Sequence, residues 1–394
     1  MQSGPINFDD TKTAFAHKSN AELRNSHFVF TTMGKPWMVD LGTRLTTFAL
    51  KAKLPVRGII KKTLFHQFCG GESIKDCASA IETLANGNVQ TILDYSVEGV
   101  ESEDGYNDAR DEALRVVDFA STNDNIPFCV LKLSGFGPTD IMTKVQADEK
   151  LTDLEKTKLY NCEKRVEEIA KRAYEKGLMV MIDAEESWFQ NFIDGVAYRL
   201  MEKFNKERPV VYNTYQLYRN DMMGRLSRAL LKARKEKYYL GAKLVRGAYM
   251  EKERERAEEM GYPSPIHESK EAVDRDYNDA LRLCMENLNM MGLCAGTHNE
   301  DSCNLLVELM EQQGVSAKDG RIFFAQLLGM SDNISFKLGA LGYNVAKYVP
   351  YGPVEKVLPY LFRRAEENTS IAGQSGREYS LVKKELNRRK LEKQ

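Results

Sequence analysis

Near the end of a 394-residue chain, the stretch LPYLFRRAEENTS (358–370) sets Tyr360 three residues before the adjacent arginines Arg363 and Arg364, with Glu367 a turn further on. At the period of an α-helix these four fall on one side, and Val354, Val357, Leu358, Leu361 and Ala365 form an apolar stripe on the other. An arginine pair beside a tyrosine can fork onto a small carboxylate. A solvated helix face accounts for the same pattern without any ligand, and the stretch by itself does not separate the two.

Other polar residues recur at one kind of place, late in short apolar runs. Lys132 interrupts PFCVLKLSG, Asp183 and Glu185 end LMVMIDAEE, and Gln216 ends VVYNTYQLY. Lys243 and Arg246 lie in LGAKLVRGAY, Thr297 and His298 end LCAGTHN, and Tyr348 lies in VAKYVPYG. Converged, they offer three cations, few carboxylates, one imidazole and an amide. Only His298 of the five histidines stands at such a place, which argues against a metal centre. No Gly-x-Ser-x-Gly turn supports a serine hydrolase. Excess positive charge suits an anionic ligand, either a carboxylate substrate or a cofactor carrying phosphates.

These positions have meaning only if the elements place them together. With TILDYS (91–96) and IFFAQLLG (322–329), the runs number eight, and amphipathic stretches such as DARDEALRVVDFAS and CEKRVEEIAKRAYEKG separate them. Repeated strand-then-helix units predict a (β/α)8 TIM barrel, whose working residues stand at the C-terminal strand ends. The last helix would then follow directly from the eighth strand through the PYGP turn. A doubly wound sheet is the alternative, but SGFGPTD lacks the third glycine of a dinucleotide turn. Before residue 88, DLGTRLTTFALKAKL and SIKDCASAIETLANG keep helical spacing, so an N-terminal helical arm (1–88) is expected ahead of the barrel (89–375) and a helical tail (376–394).

Composition narrows the class further. A formal charge of -1 gives no reason to expect nucleic acid, and seven cysteines without a Cys-x-x-Cys pair point to a reducing compartment. With no long apolar run and no basic-then-apolar leader, the reading is a cytoplasmic protein. The basic, amphipathic KAKLPVRGIIKK (51–62) leaves open a peripheral contact with an inner membrane. The charged segment 251–270 reads as a solvated surface, although its position directly after the fifth run also permits a lid.

Taken together, LVRGAY, GTHN, QLLGM, KYVPYGP and YLFRRAEENTS, in that order, resemble the proline dehydrogenases, and most closely their stand-alone, eukaryote-type branch. The resemblance runs over roughly residues 90–375 and implies a distorted (β/α)8 barrel that binds FAD and oxidises L-proline to Δ1-pyrroline-5-carboxylate, the first step of proline catabolism. It further implies hydride transfer to flavin N5 and a quinone as electron acceptor. Lys132, Arg363 and Arg364 are implied to hold the proline carboxylate, and Tyr249, Leu327, Tyr348 and Tyr360 to wall its ring. Asp183 and Lys243 are implied to act in catalysis. Ala184, Gln216, Arg246, Gly247, Ala248, Thr297, His298 and Glu367 are implied to bind the cofactor. Many bacterial members carry Arg and Lys where this chain has Lys243 and Arg246, so both charges persist with their identities exchanged, and the two donors are not equivalent. Oxidation of 4-hydroxyproline is the nearest alternative, one that the bulk of Tyr348 opposes. A Schiff-base aldolase built on Lys132 or Lys243 is another.

Overall fold

The computed structural model describes residues 4–51, 57–96, 99, 101–370 and 374–392; within 47–51, 366–370 and 374–375 it describes the backbone alone. Each of the eight expected runs overlaps one strand, two of which start earlier than their runs: β1 (Gln90–Tyr95), β2 (Phe128–Leu131), β3 (Met179–Ile182), β4 (Val211–Gln216), β5 (Leu240–Val245), β6 (Met291–Gly296), β7 (Ile322–Leu327) and β8 (Val345–Tyr351). They close into a barrel in sequence order. Packing divides the chain into two compact units, Gly99–Ala325 on one hand and Met1–Glu98 with Gln326–Gln394 on the other.

Within Gly99–Ala325, strands alternate with helices whose starts the sequence specifies. The helix Asp153–Glu175 opens on a capping box in which Thr152 and Glu155 satisfy each other's backbone N–H groups. Its Leu159, Cys162, Val166, Ile169, Ala170 and Ala173, spaced by three and four, are buried. The strands are fully buried over most of their length, as parallel strands covered on both faces must be. Phe128 meets Tyr212 and Phe323 edge-on, with ring centroids 5.4 and 4.8 Å apart, so aromatic side chains from β2, β4 and β7 pack together. Register sets Lys243 of β5 opposite Thr214 of β4 and Cys294 of β6, and Gln216 opposite Val245.

In the other unit β1 pairs in parallel with β8, from Gln90 opposite Ala346 to Tyr95 opposite Tyr351. The expected arm is helical, with Asn20–Met33, Pro36–Lys51 and Ala78–Asn86 as its main helices. Ser19 and Glu22 form the capping box that opens the first of these. One apolar cluster joins the arm (Phe30, Met33, Phe68) to the last barrel helix, Val354–Ser370 (Val357, Leu361), and to the tail helix, Gln374–Leu391 (Leu381, Val382). Residues 52–56 of the basic stretch KAKLPVRGIIKK lie outside the described residues. All seven cysteines are free thiols and buried. Among the described residues no helix is long and apolar enough to cross a membrane.

Candidate functional site

In the unit Gly99–Ala325, the polar strand ends are tied to one another. Lys132 follows β2 directly and leads into the tight turn Leu133–Gly135. The backbone N–H of Ser134 donates to Glu185 at 2.9 Å, and its hydroxyl donates to the other carboxylate oxygen. Glu185, two residues past Asp183, therefore grips the residue two past Lys132. Burial pushes the Glu185 carboxyl up to about 7 against the lowering effect of the two Ser134 bonds. Its backbone is held as well: the N–H donates to Gln190 Oε1 at 2.8 Å, and the carbonyl accepts from Gln216 Nε2 at 2.8 Å. Sequence reasoning noticed Glu185 at a strand end and gave it no role; the geometry makes it the clamp between β2, β3 and β4. Ala184, between the two acids, is half-buried.

Lys243, only 4% exposed, forms an ion pair with Asp183. Arg246, just past β5, is held from four directions. Its Nε donates to Asp274 at 2.8 Å, Nη1 to the Thr297 hydroxyl at 2.6 Å and Nη2 to the Ser302 hydroxyl at 3.0 Å, and its guanidinium lies 4.4 Å from the centre of the Tyr277 ring. Burial pushes Asp274 up, but Lys270 and Arg246 outweigh it and hold that carboxyl below its usual range. GTHN acquires a local reason: the Thr297 hydroxyl accepts from Arg246 and from the Asn299 N–H, while the Asn299 side chain caps the helix Glu300–Gln312 by accepting from Ser302 N–H. His298 is half-buried. Lys243 and Arg246 thus carry acidic partners, and the positive excess counted from the sequence is smaller than it looked. Asp274, in the helix Lys270–Glu286, was missed because no strand-end pattern reaches it.

Gly247 and Ala248 stand exposed after β5, ahead of the half-buried Tyr249. Gly247 has φ +139°, and a Cβ there would lie 2.5 Å from the Tyr218 ring, so only glycine fits. A bare exposed backbone beside a fixed guanidinium and two hydroxyls is a donor set suited to phosphate and polyol oxygens, and the buried Gln216 amide adds a neutral donor and acceptor. These residues fit a phosphate-bearing cofactor such as FAD. The next helix, Met250–Met260, is not simply a solvated charged surface: Glu253 is fully buried and accepts from Ser187 N–H at 2.6 Å and from its hydroxyl at 2.5 Å, Lys252 pairs with Glu186 at 3.1 Å, and Arg256 lies 4.7 Å from the centre of the Trp188 ring. This part of 251–270 is clasped to the loop after β3.

In the other unit, β7 ends on the half-buried Leu327, and Tyr348 of β8 is buried. The turn Gly352–Pro353 leads into the last barrel helix. Val354, Val357, Leu358, Leu361 and Ala365 are buried as its spacing demands. The opposite side is not a solvated face: Tyr360 is 4% exposed, Arg364 8%, and Arg363 is half-buried. Both guanidinium groups lie near the Tyr360 ring, 5.9 Å away for Arg363 and 5.6 Å for Arg364. Pro359 inside this helix removes the backbone bond that would return to Glu355. The Glu367 side chain lies outside the described residues.

Residues 77–377 match the family described as Proline dehydrogenase. The chain is similar to proline dehydrogenase 1, mitochondrial, of Arabidopsis thaliana, at 31% identity over 98% of this chain and 86% of that one. It is also similar to proline dehydrogenase 1, mitochondrial, of Homo sapiens, at 42% identity over 61% of this chain and 40% of that one. Among solved structures, proline utilization A from Bdellovibrio bacteriovorus shares the fold with a TM-score of 0.72 at 19% identity, over 94% of this chain and 40% of that one. The chain thus spans well under half the length of the human protein and of the solved structure, and most of the length of the plant protein. A match that covers every barrel strand, together with the buried arginine face where the motif puts it, shows that this chain belongs to the proline dehydrogenase family.

Proposed function

We propose that the protein oxidises L-proline to Δ1-pyrroline-5-carboxylate with FAD as cofactor, as the first step of proline catabolism. The observation that carries this reading is the last barrel helix: in a chain of this family, Tyr360 and Arg364 are withdrawn from water on a helix that follows β8 directly. The fork of a guanidinium beside a tyrosine ring suits a small planar anion, and the carboxylate of an amino acid is such an anion. Arg363, Arg364 and Lys132 fix the carboxylate, while Tyr249, Leu327, Tyr348 and Tyr360 wall the ring. Holding the substrate at both ends supplies the orientation that transfer from a ring carbon requires.

Gln216 and Ala184 are assigned to the flavin ring, and Arg246, Thr297, His298 and the Gly247–Ala248 backbone to the phosphates, ribityl chain or adenosine, with Glu367 on hydroxyls. Bound there, FAD supplies the capacity to accept a hydride at N5 from the carbon next to the ring nitrogen. Asp183 keeps Lys243 in place, and Glu185 keeps the turn after Lys132 in place. No side-chain base is required, because the substrate amine releases its proton to water before the C–H bond breaks; the rate therefore rises with pH through the alkaline limb. Electrons pass on to a quinone. A peripheral membrane contact is supported by the arm, where Trp37, Leu41 and Leu45, four residues apart on one helix, are 65%, 48% and 58% exposed.

The test is spectroscopic. The purified protein, reconstituted with FAD, is expected to show the bands of an oxidised flavin that bleach on anaerobic addition of L-proline, and to turn over trans-4-hydroxy-L-proline far less efficiently. A protein that takes up no FAD, or whose flavin is left oxidised by proline, overturns the reading. Equal efficiency on the two substrates would overturn the preference for proline over 4-hydroxyproline.

A further inference from the structure

The segment that leaves β7, Leu327 to Asp332, turns through two left-handed residues, Gly329 (φ +78°) and Ser331 (φ +49°). Serine gains nothing from that conformation, so its surroundings must impose it. They do so with polar side chains from four places in the chain, three of them buried. Lys347 of β8, with no exposed side-chain area, donates to the carbonyls of Leu327 at 3.2 Å and Met330 at 2.5 Å and pairs with Asp332 at 2.8 Å. Gln67 donates to the Gly329 carbonyl at 2.7 Å, and a Cβ on Gly329 would stand 2.0 Å from the Gln67 carbonyl oxygen. Lys18 of the arm takes the second oxygen of Asp332 at 2.8 Å. Glu378 of the tail helix, 4% exposed, accepts the Ser331 N–H at 2.6 Å and its hydroxyl at 3.3 Å on a single carboxylate oxygen.

Of the bonds just described, the pair to Glu378 falls on the strained serine itself. A buried carboxylate adds little net stability, and its most evident return here is a fixed backbone. At the start of the same segment Leu327, half-buried, packs on the cluster that contains Tyr360 and Leu361. We propose that Glu378 is a positioning residue for substrate selection: by holding Ser331 left-handed it sets where Leu327 stands, and hence how large a ring is accepted. The tail helix, which carries none of the residues assigned to substrate, thereby becomes part of the specificity device. The proposal rests on the reading that Leu327 walls the proline ring.

The experiment compares L-proline with its six-membered homologue L-pipecolate on the full-length, FAD-loaded protein and on Glu378 variants. Glu378→Ala is expected to raise the KM for proline about tenfold, to lower the proline-to-pipecolate ratio of kcat/KM by a similar factor and to leave kcat for proline within about threefold. Glu378→Gln, which keeps an acceptor oxygen, restores most of the ratio, as loss of a merely structural carboxylate would not. Should Glu378→Ala fail to fold, Glu378→Asp, one methylene short of Ser331, must show the same shift. An unchanged ratio in the folded Ala and Asp variants, with the wild type active on proline, overturns this inference alone. A wild type whose flavin proline does not reduce overturns the underlying reading and this inference with it.

Discussion

Charge is buried in two places and in two ways. At the ends of β3 to β6, each acidic group meets its partner on a neighbouring strand, in the turn after β2 or just past β5: Asp183 with Lys243, Glu185 with the Ser134 turn, and Asp274 with Arg246. Around the end of β7, the groups come from the two extremes of the chain, with Lys18, Asp332, Lys347 and Glu378 gathered on one turn. The first set leaves exposed backbone and half-buried side chains within reach of a ligand. The second is sealed, with Lys347 wholly without exposure. Buried ion pairs therefore serve two ends in this protein. Under the proposed function, the first set readies polar groups for chemistry and the second holds a wall for others to use.

The comparison predicts a split between stability and turnover. Its largest consequence concerns Asp332, which burial would push up but which Lys18, Lys347 and His17 hold well below the usual carboxylate range. Asp332→Ala strands the buried Lys347 and is expected to cost about 3–5 kcal/mol of unfolding free energy in urea titrations, with kcat on proline within about threefold. A large kcat loss with stability intact would erase the distinction. Asp183→Asn is the counterpart, expected to lower kcat about a hundredfold, or ~2.7 kcal/mol of barrier, more than it shifts the KM for proline.

A smaller effect sharpens the first set internally. Arg246→Lys keeps the charge and loses the fork that reaches Asp274, Thr297 and Ser302 together. It is expected to weaken FAD binding about tenfold, measured by titrating apoprotein, while proline saturation of the loaded enzyme is preserved. The smallest effect is shared by both sets. Burial raises Glu185 and Glu378 from 4.5 to about 7, so in the folded state both keep a proton that the unfolded chain has released. The stability they contribute is present below about pH 4.5 and lost as pH rises through about 7. Each supplies a fraction of the ~1.4 kcal/mol per pH unit that one full proton would give. Unfolding midpoints between those limits should show that part of the slope removed in Glu185→Gln.

How much of this could be read in the sequence follows the same division. Strands stood out because a parallel strand buried on both faces is a compact apolar run, and each of the eight runs overlaps one. The ends were less exact: LMVMIDAEE reads as continuous, but β3 stops at Ile182 because Asp183 and Glu185 turn to partners of their own. Asp183, Lys243 and Arg246 were visible as polar breaks in apolar runs. Lys347, a lysine inside VAKYVPYG, carried the same signal and was passed over for its neighbour Tyr348. Asp274, Glu253 and Glu378 gave no signal, since a charged residue on a helix looks solvated until the packing around it is known. For the same reason LPYLFRRAEENTS could not show by itself that Tyr360 and Arg364 are buried.

Whether this helix reads a carboxylate is measured by kcat/KM for L-proline against L-prolinamide, which lacks the negative charge, in the wild type and in Arg364→Ala. The wild type is expected to favour proline by about a hundredfold or more, the worth of a buried charge-assisted hydrogen bond, and Arg364→Ala to lose most of that preference with its flavin still bound. A preference that survives unchanged in Arg364→Ala would contradict the account.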